Sequence, residues 1–167
     1  MRKVIFSHGK ESGPRGTKIQ RMQEIAKRQG FKTLSVDYTR CQNAAERVEL
    51  LKGILEKGNP AETVLVGSSM GGYVATVAAS EYQVAGLFVL CPALFMPARE
   101  YEVQAYFPKC AKVEIIHGWG DEVVPHEHSI RFGKQVKAVV NLVDDGHRLK
   151  ESLDFIAQRF DVFLKNL

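Results

Sequence analysis

Thr63-Val64-Leu65-Val66-Gly67-Ser68-Ser69-Met70-Gly71-Gly72-Tyr73 is the stretch whose reading decides the fold. A β-branched apolar run, Thr63 to Val66, passes through a G-x-S-x-G into a segment that reads as helix from Met70 to about Tyr82. A strand that turns sharply into a helix needs glycine on both sides of the turning residue, because side chains there collide with the neighbouring strand and helix. Such a turn lifts the Ser69 hydroxyl above the edge of a sheet. The competing reading, in which Ser68 and Ser69 only cap the helix, leaves Gly67 and Gly71 with a mere packing role. A phosphate cradle is a poorer match: the segment lacks the lysine of a P-loop, Gly16-Thr17-Lys18 has the wrong order, and no G-x-G-x-x-G is present.

Outward from this turn, short β-branched runs alternate with helical periodicity, the pattern of a parallel sheet covered by crossover helices. Before it lie a strand at Val4-Ile5-Phe6, a helix opened by a capping box at Thr17-x-x-Gln20 and stopped by Gly30, and a strand from Thr33 to Tyr38. A second helix is capped by Asn43, with Ala44, Val48, Leu51 and Leu55 on one face. After the turn come a buried strand from Ala85 to Leu90, an irregular segment from Pro92 to Cys110, and a strand from Val113 to Ile116. A helix opened by Pro125, a strand from Ala138 to Val143 and a last helix containing Leu149, Leu153, Ile156, Phe160 and Phe163 complete the pattern. The expectation is one α/β domain over residues 1–167 with about six mostly parallel strands flanked by helices. No internal repeat, low-complexity tract or linker interrupts it.

Composition narrows the function classes. With 45% hydrophobic and 25% charged residues, the chain matches a globular domain rather than a disordered or fibrous one. The formal charge of +4 is spread among alternating signs, as in Gln20 to Lys32, so it reads as solvated helix surface with no nucleic-acid partner. Cys41, Cys91 and Cys110 are odd in number and lack CxxC spacing, which points to a reducing compartment, the cytoplasm, and to neither disulfide framework nor zinc site. The apolar run at the N-terminus is too short for a signal peptide, and Val84 to Met96 is broken by Pro92, so no membrane segment is expected.

A serine hydroxyl is a weak nucleophile and requires a base, which in turn requires a carboxylate to set its tautomer. Strand-turn-helix serines of this kind take the chain order Ser, acid, His. His147, in Asp144-Asp145-Gly146-His147 after the last strand, fits the base. Asp121, in Gly120-Asp121-Glu122-Val123-Val124-Pro125 after the preceding strand, fits the acid, with Asp144 as the alternative and a helix cap before Pro125 as its plainer role. His8-Gly9-Lys10 ends the first strand, so the backbone N–H groups of Met70 and Lys10 are the expected oxyanion donors. Phe95, Phe107 and Trp119 are candidates to line an acyl pocket shaped by Ala93 to Cys110, or else core aromatics. His126 and His128 form an H-x-H pair without a third ligand at recognisable spacing, so no metal is expected.

These residues resemble the compact α/β-hydrolases of the YqiA-like esterase type. The matching pieces are Ser7-His8-Gly9 with Ser12-Gly13-Pro14 and Lys18, Val66 to Tyr73, Cys91-Pro92-Ala93, Gly120 to Val124, and Gly146-His147, which span almost the whole chain. The resemblance implies a minimal α/β-hydrolase fold and an esterase or acyl-thioesterase with a Ser, Asp, His triad. Pro92 to Cys110 has the length of a loop rather than of a cap domain, so little or no cap and a shallow pocket are expected. The expected reaction is acyl transfer from a small ester or thioester without a cofactor. The alternative is a catalytically weak member of the same fold that binds a protein or small ligand at the open sheet edge.

Overall fold

The computed structural model describes residues 1–167. Along Val4-Ile5-Phe6 and again along Val64-Leu65-Val66, alternate side chains go to opposite faces of one sheet, as the two-residue period of a strand requires. Ile5 and Leu65 meet one core; Val4, Phe6, Val64 and Val66 meet the other. The six strands are β1 (Lys3–Ser7), β2 (Lys32–Val36), β3 (Thr63–Ser68), β4 (Gly86–Leu90), β5 (Val113–Gly118) and β6 (Val139–Val143). They lie in the order β2-β1-β3-β4-β5-β6 and every neighbouring pair is parallel. The central strands β1, β3, β4 and β5 are buried along almost their whole length because helices cover both their faces, whereas the edge strands β2 and β6 keep partly exposed residues.

Helices α1 (Thr17–Arg28) and α5 (Leu153–Lys165) close one face. Phe160 of α5 meets the rings of Phe6 and Phe88 edge to face at 6.2 and 5.1 Å. Helices α2 (Ala44–Glu56), α3 (Met70–Glu81) and α4 (His126–Val136) close the other. Each large apolar side chain taken into these layers is worth roughly 1.5–3 kcal/mol. Helix α3 is buried on nearly every side, so it shows no polar face.

The helix ends reflect local chemistry. Asn43 Oδ1 accepts from the Glu46 N–H at 3.1 Å and caps α2. Helix α1 ends in a Schellman pattern: the Gly30 N–H donates to Lys27 O and the Phe31 N–H to Ala26 O, both at 3.0 Å, and Phe31 is buried. Two expectations need correction. The capping box at Thr17 does not form, because Gly16 is the N-cap and Gln20 turns its amide back to Arg15 O. Leu149 precedes α5 instead of belonging to it; it is buried in a turn at φ +51°, so its apolarity serves the core outside the helical register.

The chain reverses its direction of travel across the sheet between β1 and β3, and this switch point opens a crevice at their carboxyl ends. All six strands point their carboxyl ends to the same edge. The segment from Pro92 to Lys112 contains no helix or strand, yet it is tied down: Tyr73 Oη accepts from the Val103 N–H at 3.1 Å and Tyr106 Oη from the Phe95 N–H at 3.2 Å. It is a packed loop and no cap domain. No helix is long and apolar enough to cross a membrane.

Candidate active site

Ser69 joins β3 to α3 with φ +53° and ψ −119°, a backbone conformation that costs a side-chain-bearing residue about 1–3 kcal/mol. Neighbouring bonds hold it there. The Ser69 N–H donates to Leu90 O and the Ala93 N–H donates to Ser69 O, both at 2.9 Å, so the turn is clamped to the end of β4. A Cβ at Gly71 would run into the Ser7 carbonyl, and one at Gly67 into the Gly71 carbonyl. Both obstacles are backbone. Gly71→Ala is therefore expected to lower the unfolding free energy by about 3 kcal/mol or more, read by urea denaturation; a loss under about 1 kcal/mol would show that β1 and α3 can part at little cost.

The loops after β5 and β6 deliver the other two side chains. His147 Nε2 lies 2.9 Å from Ser69 Oγ, and His147 Nδ1 lies 2.7 Å from Asp121 Oδ2. A carboxylate only accepts, so Nδ1 carries the imidazole proton and Nε2 is left to accept from the serine hydroxyl. The Asp121 side chain is fully buried and His147 keeps 20% of its side chain exposed. Asp121 Oδ1 accepts the Val123 and Val124 amides at 2.8 Å each. These bonds turn the loop before α4 rather than cap the helix. Burial pushes the Asp121 carboxyl up, but hydrogen bonds from His117, His147 and the Val124 and Val123 amides outweigh it and hold the group well below the carboxylate range.

The other acidic residues near His147 do different work. Asp145 Oδ1 accepts the Gly146 N–H at 2.7 Å, while its Oδ2 accepts the Glu151 N–H and the Ser152 hydroxyl at 2.9 and 2.8 Å, tying the His147 loop to the start of α5. Asp144 and Glu122 are exposed.

The turn His8-Gly9-Lys10 lies against the serine, where a Cβ on Gly9 would stand 3.5 Å from Ser69 Cβ. Sequence reading overlooked what holds it. Arg47, on the apolar face of α2 and fully buried, donates from Nη1 to His8 O at 3.0 Å and Gly9 O at 3.3 Å, and from Nε to Cys41 O at 2.7 Å. His8 Nδ1 donates to the same Gly9 carbonyl at 2.7 Å, and its Nε2 accepts the Tyr38 N–H. In a trans peptide, C=O and N–H point opposite ways, so fixing Gly9 O toward Arg47 turns the Lys10 N–H away from it. The Lys10 N–H donates to no protein group, and the Met70 N–H, at the first position of α3, has no carbonyl a turn behind it. The Lys10 side chain pairs with Glu100 at 3.3 Å. A signal for Arg47 was available: a charged residue inside the stripe Ala44, Val48, Leu51, Leu55.

Beside the serine opens a cleft of about 770 Å³. Its walls come from the turn after β1, the first turns of α1 and the loop after His147, with Phe6, Ile19, Met22 and Leu149 offering apolar surface. Lys18 reaches across it to donate to Arg148 O. The sequence reading placed the pocket elsewhere. Phe95, Phe107 and Trp119 do not line this cleft, and Tyr101 is the one residue of Ala93 to Cys110 that does. Phe95 is half-buried against Tyr106 and under the Arg131 guanidinium, whereas Phe107 and Trp119 are exposed, so neither of these two is a core aromatic. The physical reason is the switch point, which opens the crevice between β1 and β3, on the α1 side of the serine.

Cys91, His117 and Asp121 offer metal-type donor atoms within 4.8 Å of one another. His117 and Asp121 already spend those atoms on each other, His117 Nε2 lying 2.9 Å from Asp121 Oδ2. Burial raises the Cys91 thiol pKa, which leaves it protonated, a small core group. His126 and His128 meet different rings edge to face, Trp119 and Phe95 respectively, and form no joint site.

The model of an uncharacterised protein family, UPF0227, matches residues 3–104. Among curated proteins none matches the sequence. Among solved structures, the chain is similar to one assigned as a hydrolase of the alpha/beta superfamily from Xanthomonas campestris pv. campestris, with 28% identity over 100% of both chains and a TM-score of 0.87. It is also similar to Est1E from Butyrivibrio proteoclasticus (19% identity, 99% of this chain and 87% of that one, TM-score 0.84) and to an esterase from Pyrococcus furiosus (18%, 99% and 81%, TM-score 0.76). At such identities the last two speak for the fold alone: an α/β-hydrolase fold, here in a minimal six-stranded form.

Proposed function

The chain belongs to the UPF0227 family, and from the site it carries we propose that it is a serine hydrolase cleaving small carboxylic esters or acyl thioesters, with Ser69, His147 and Asp121 as its triad. The observation that carries this reading is the hydrogen-bonded line from Ser69 Oγ through His147 to Asp121, with steps of 2.9 and 2.7 Å. His147 takes the hydroxyl proton as Ser69 Oγ attacks the acyl carbon. The Met70 and Lys10 N–H groups receive the negative charge that develops on the acyl oxygen, assisted by the positive end of α3. His147 then returns its proton to the departing alcohol or thiol, and water cleaves the acyl-enzyme by the same route. Every atom transferred is accounted for by substrate, water and these side chains. The similarity to the structure assigned as a hydrolase of the alpha/beta superfamily supports the same reaction class. The three free thiols suit a protein of the cytoplasm.

The test is a panel of p-nitrophenyl esters and matching thioesters of increasing acyl length. Hydrolysis of the short, water-soluble members is expected, with no rate jump as longer members pass their micelle concentration, because no cap domain stands over Ser69 to be opened at an interface. Selectivity between adjacent chain lengths is expected to stay modest, since a methylene in an apolar pocket is worth only about 1–3 kcal/mol. Absence of turnover across the panel, together with no covalent labelling by a fluorophosphonate, would overturn the proposal. An abrupt rise at the micelle concentration would overturn the account of an uncapped site.

A further inference from the structure

His117 occupies the next-to-last position of β5, fully buried, four residues before Asp121. Its Nε2 faces two acceptors, Asp121 Oδ2 at 2.9 Å and Val124 O at 3.0 Å, so this nitrogen carries a proton. Its Nδ1 lies 2.7 Å from the hydroxyl of Ser129 on α4, which is also fully buried. With the Nε2 proton spent on those two acceptors, the Ser129 hydroxyl is placed to donate to Nδ1, the partner that the Nε2–H tautomer needs. Asp121 Oδ2 thus receives one imidazole N–H from His147 and a second from His117, while Oδ1 is filled by two amides.

We propose that His117 is a positioning residue that sets the basicity of His147 by sharing its carboxylate. The inference rests on the triad reading above. A donor on Oδ2 disperses the carboxylate charge and points the positive end of its own dipole toward His147, so it disfavours the protonated imidazole. It keeps the base free at lower pH than an Asp–His pair alone would. The other ionisable groups around the pair are the protonated Cys91 thiol at the end of β4, Lys18 of α1 close to Cys91, and Asp145 on the His147 loop. Asp145 is committed to Gly146, Glu151 and Ser152. Among these groups, only the Cys91 thiol shares contact with Asp121.

The experiment is the rate of fluorophosphonate modification as a function of pH, which tracks the fraction of His147 in its basic form without needing the natural substrate. In His117→Leu the acid limb should move up by about half to one pH unit, with the plateau at high pH kept within about tenfold. His117→Gln, which can place an amide N–H near the former Nε2, should bring the limb back toward wild type. Should His117→Leu fail to fold, Ser129→Ala serves instead: with the tautomer no longer enforced, its limb should shift in the same direction by less. Rates that fall equally at all pH values, with the limb unmoved in the folded variant, would make His117 a purely structural residue and overturn the inference. Labelling of Ser69→Ala at the wild-type rate is a separate result; it would remove the triad reading itself.

Discussion

Ser69→Ala is expected to abolish fluorophosphonate labelling and to lower turnover of any ester substrate by roughly 10⁶-fold, the scale found when a triad nucleophile is removed. The variant should remain folded. The Ser69 side chain makes one hydrogen bond, to His147, and alanine tolerates φ +53° no worse than serine does. Thermal unfolding within a few degrees of wild type would show that the loss belongs to chemistry. The Met70 and Lys10 N–H groups proposed as oxyanion donors and the cleft survive the change, so a residual rate on the order of 10³ above the uncatalysed reaction is compatible with the assignment. Labelling of an unchanged stoichiometry in Ser69→Ala would move the nucleophile to another residue.

The second large effect is expected at Asp121. In Asp121→Asn, the Val123 and Val124 amides still require an acceptor, which keeps the asparagine oxygen on their side. The new NH₂ then faces His147 Nδ1, where a donor forces the imidazole proton onto Nε2. A proton on Nε2 points at Ser69 and cannot be replaced by the serine's own. Turnover should fall by roughly 10⁴-fold, as it does when a triad histidine is held in the wrong tautomer. His117 would meet the same NH₂ with its own N–H, so some stability should be lost too. Asp144→Asn and Glu122→Gln, at exposed positions, should leave turnover within a few-fold. Asp145→Asn should cost stability first, about 1–2 kcal/mol, because it weakens the three bonds that tie the His147 loop to α5. A folded Asp121→Asn protein with nearly full turnover, beside a crippled Asp144→Asn, would transfer the orienting role to Asp144.

The sequence alone was enough for the alternation of strands and helices, because that pattern is local. Period two along Val4-Ile5-Phe6 and helical spacing along Ile19, Met22, Ile25 and Ala26 register burial within a few residues of chain. Gly67 and Gly71 likewise mark the turn at Ser69, since their purpose is to let backbone meet backbone. The order Ser69, Asp121, His147 could be proposed because each residue lies just past the carboxyl end of a strand, and parallel strands bring all such ends to one edge of the sheet. Where two candidates remained, as for Asp121 and Asp144, chain position could rank them but not orient their side chains.

Tertiary structure decided what depends on segments distant in the chain. Two walls of the cleft are joined by Lys18 reaching Arg148 O across 130 positions, a separation no periodicity encodes. Phe95, Phe107 and Trp119 were attractive because aromatics bind acyl groups, yet which side of Ser69 opens is set by where the strand order reverses. Arg47 and His117 were hidden for a related reason. Each is a polar residue on a buried face, and its purpose lies in partners that become neighbours only on folding: the His8 and Gly9 carbonyls for one, Asp121 and Ser129 for the other. A single chain read in order states which residues must be buried; which hydrogen-bond partner satisfies a buried polar group is settled by the packing of the elements against each other.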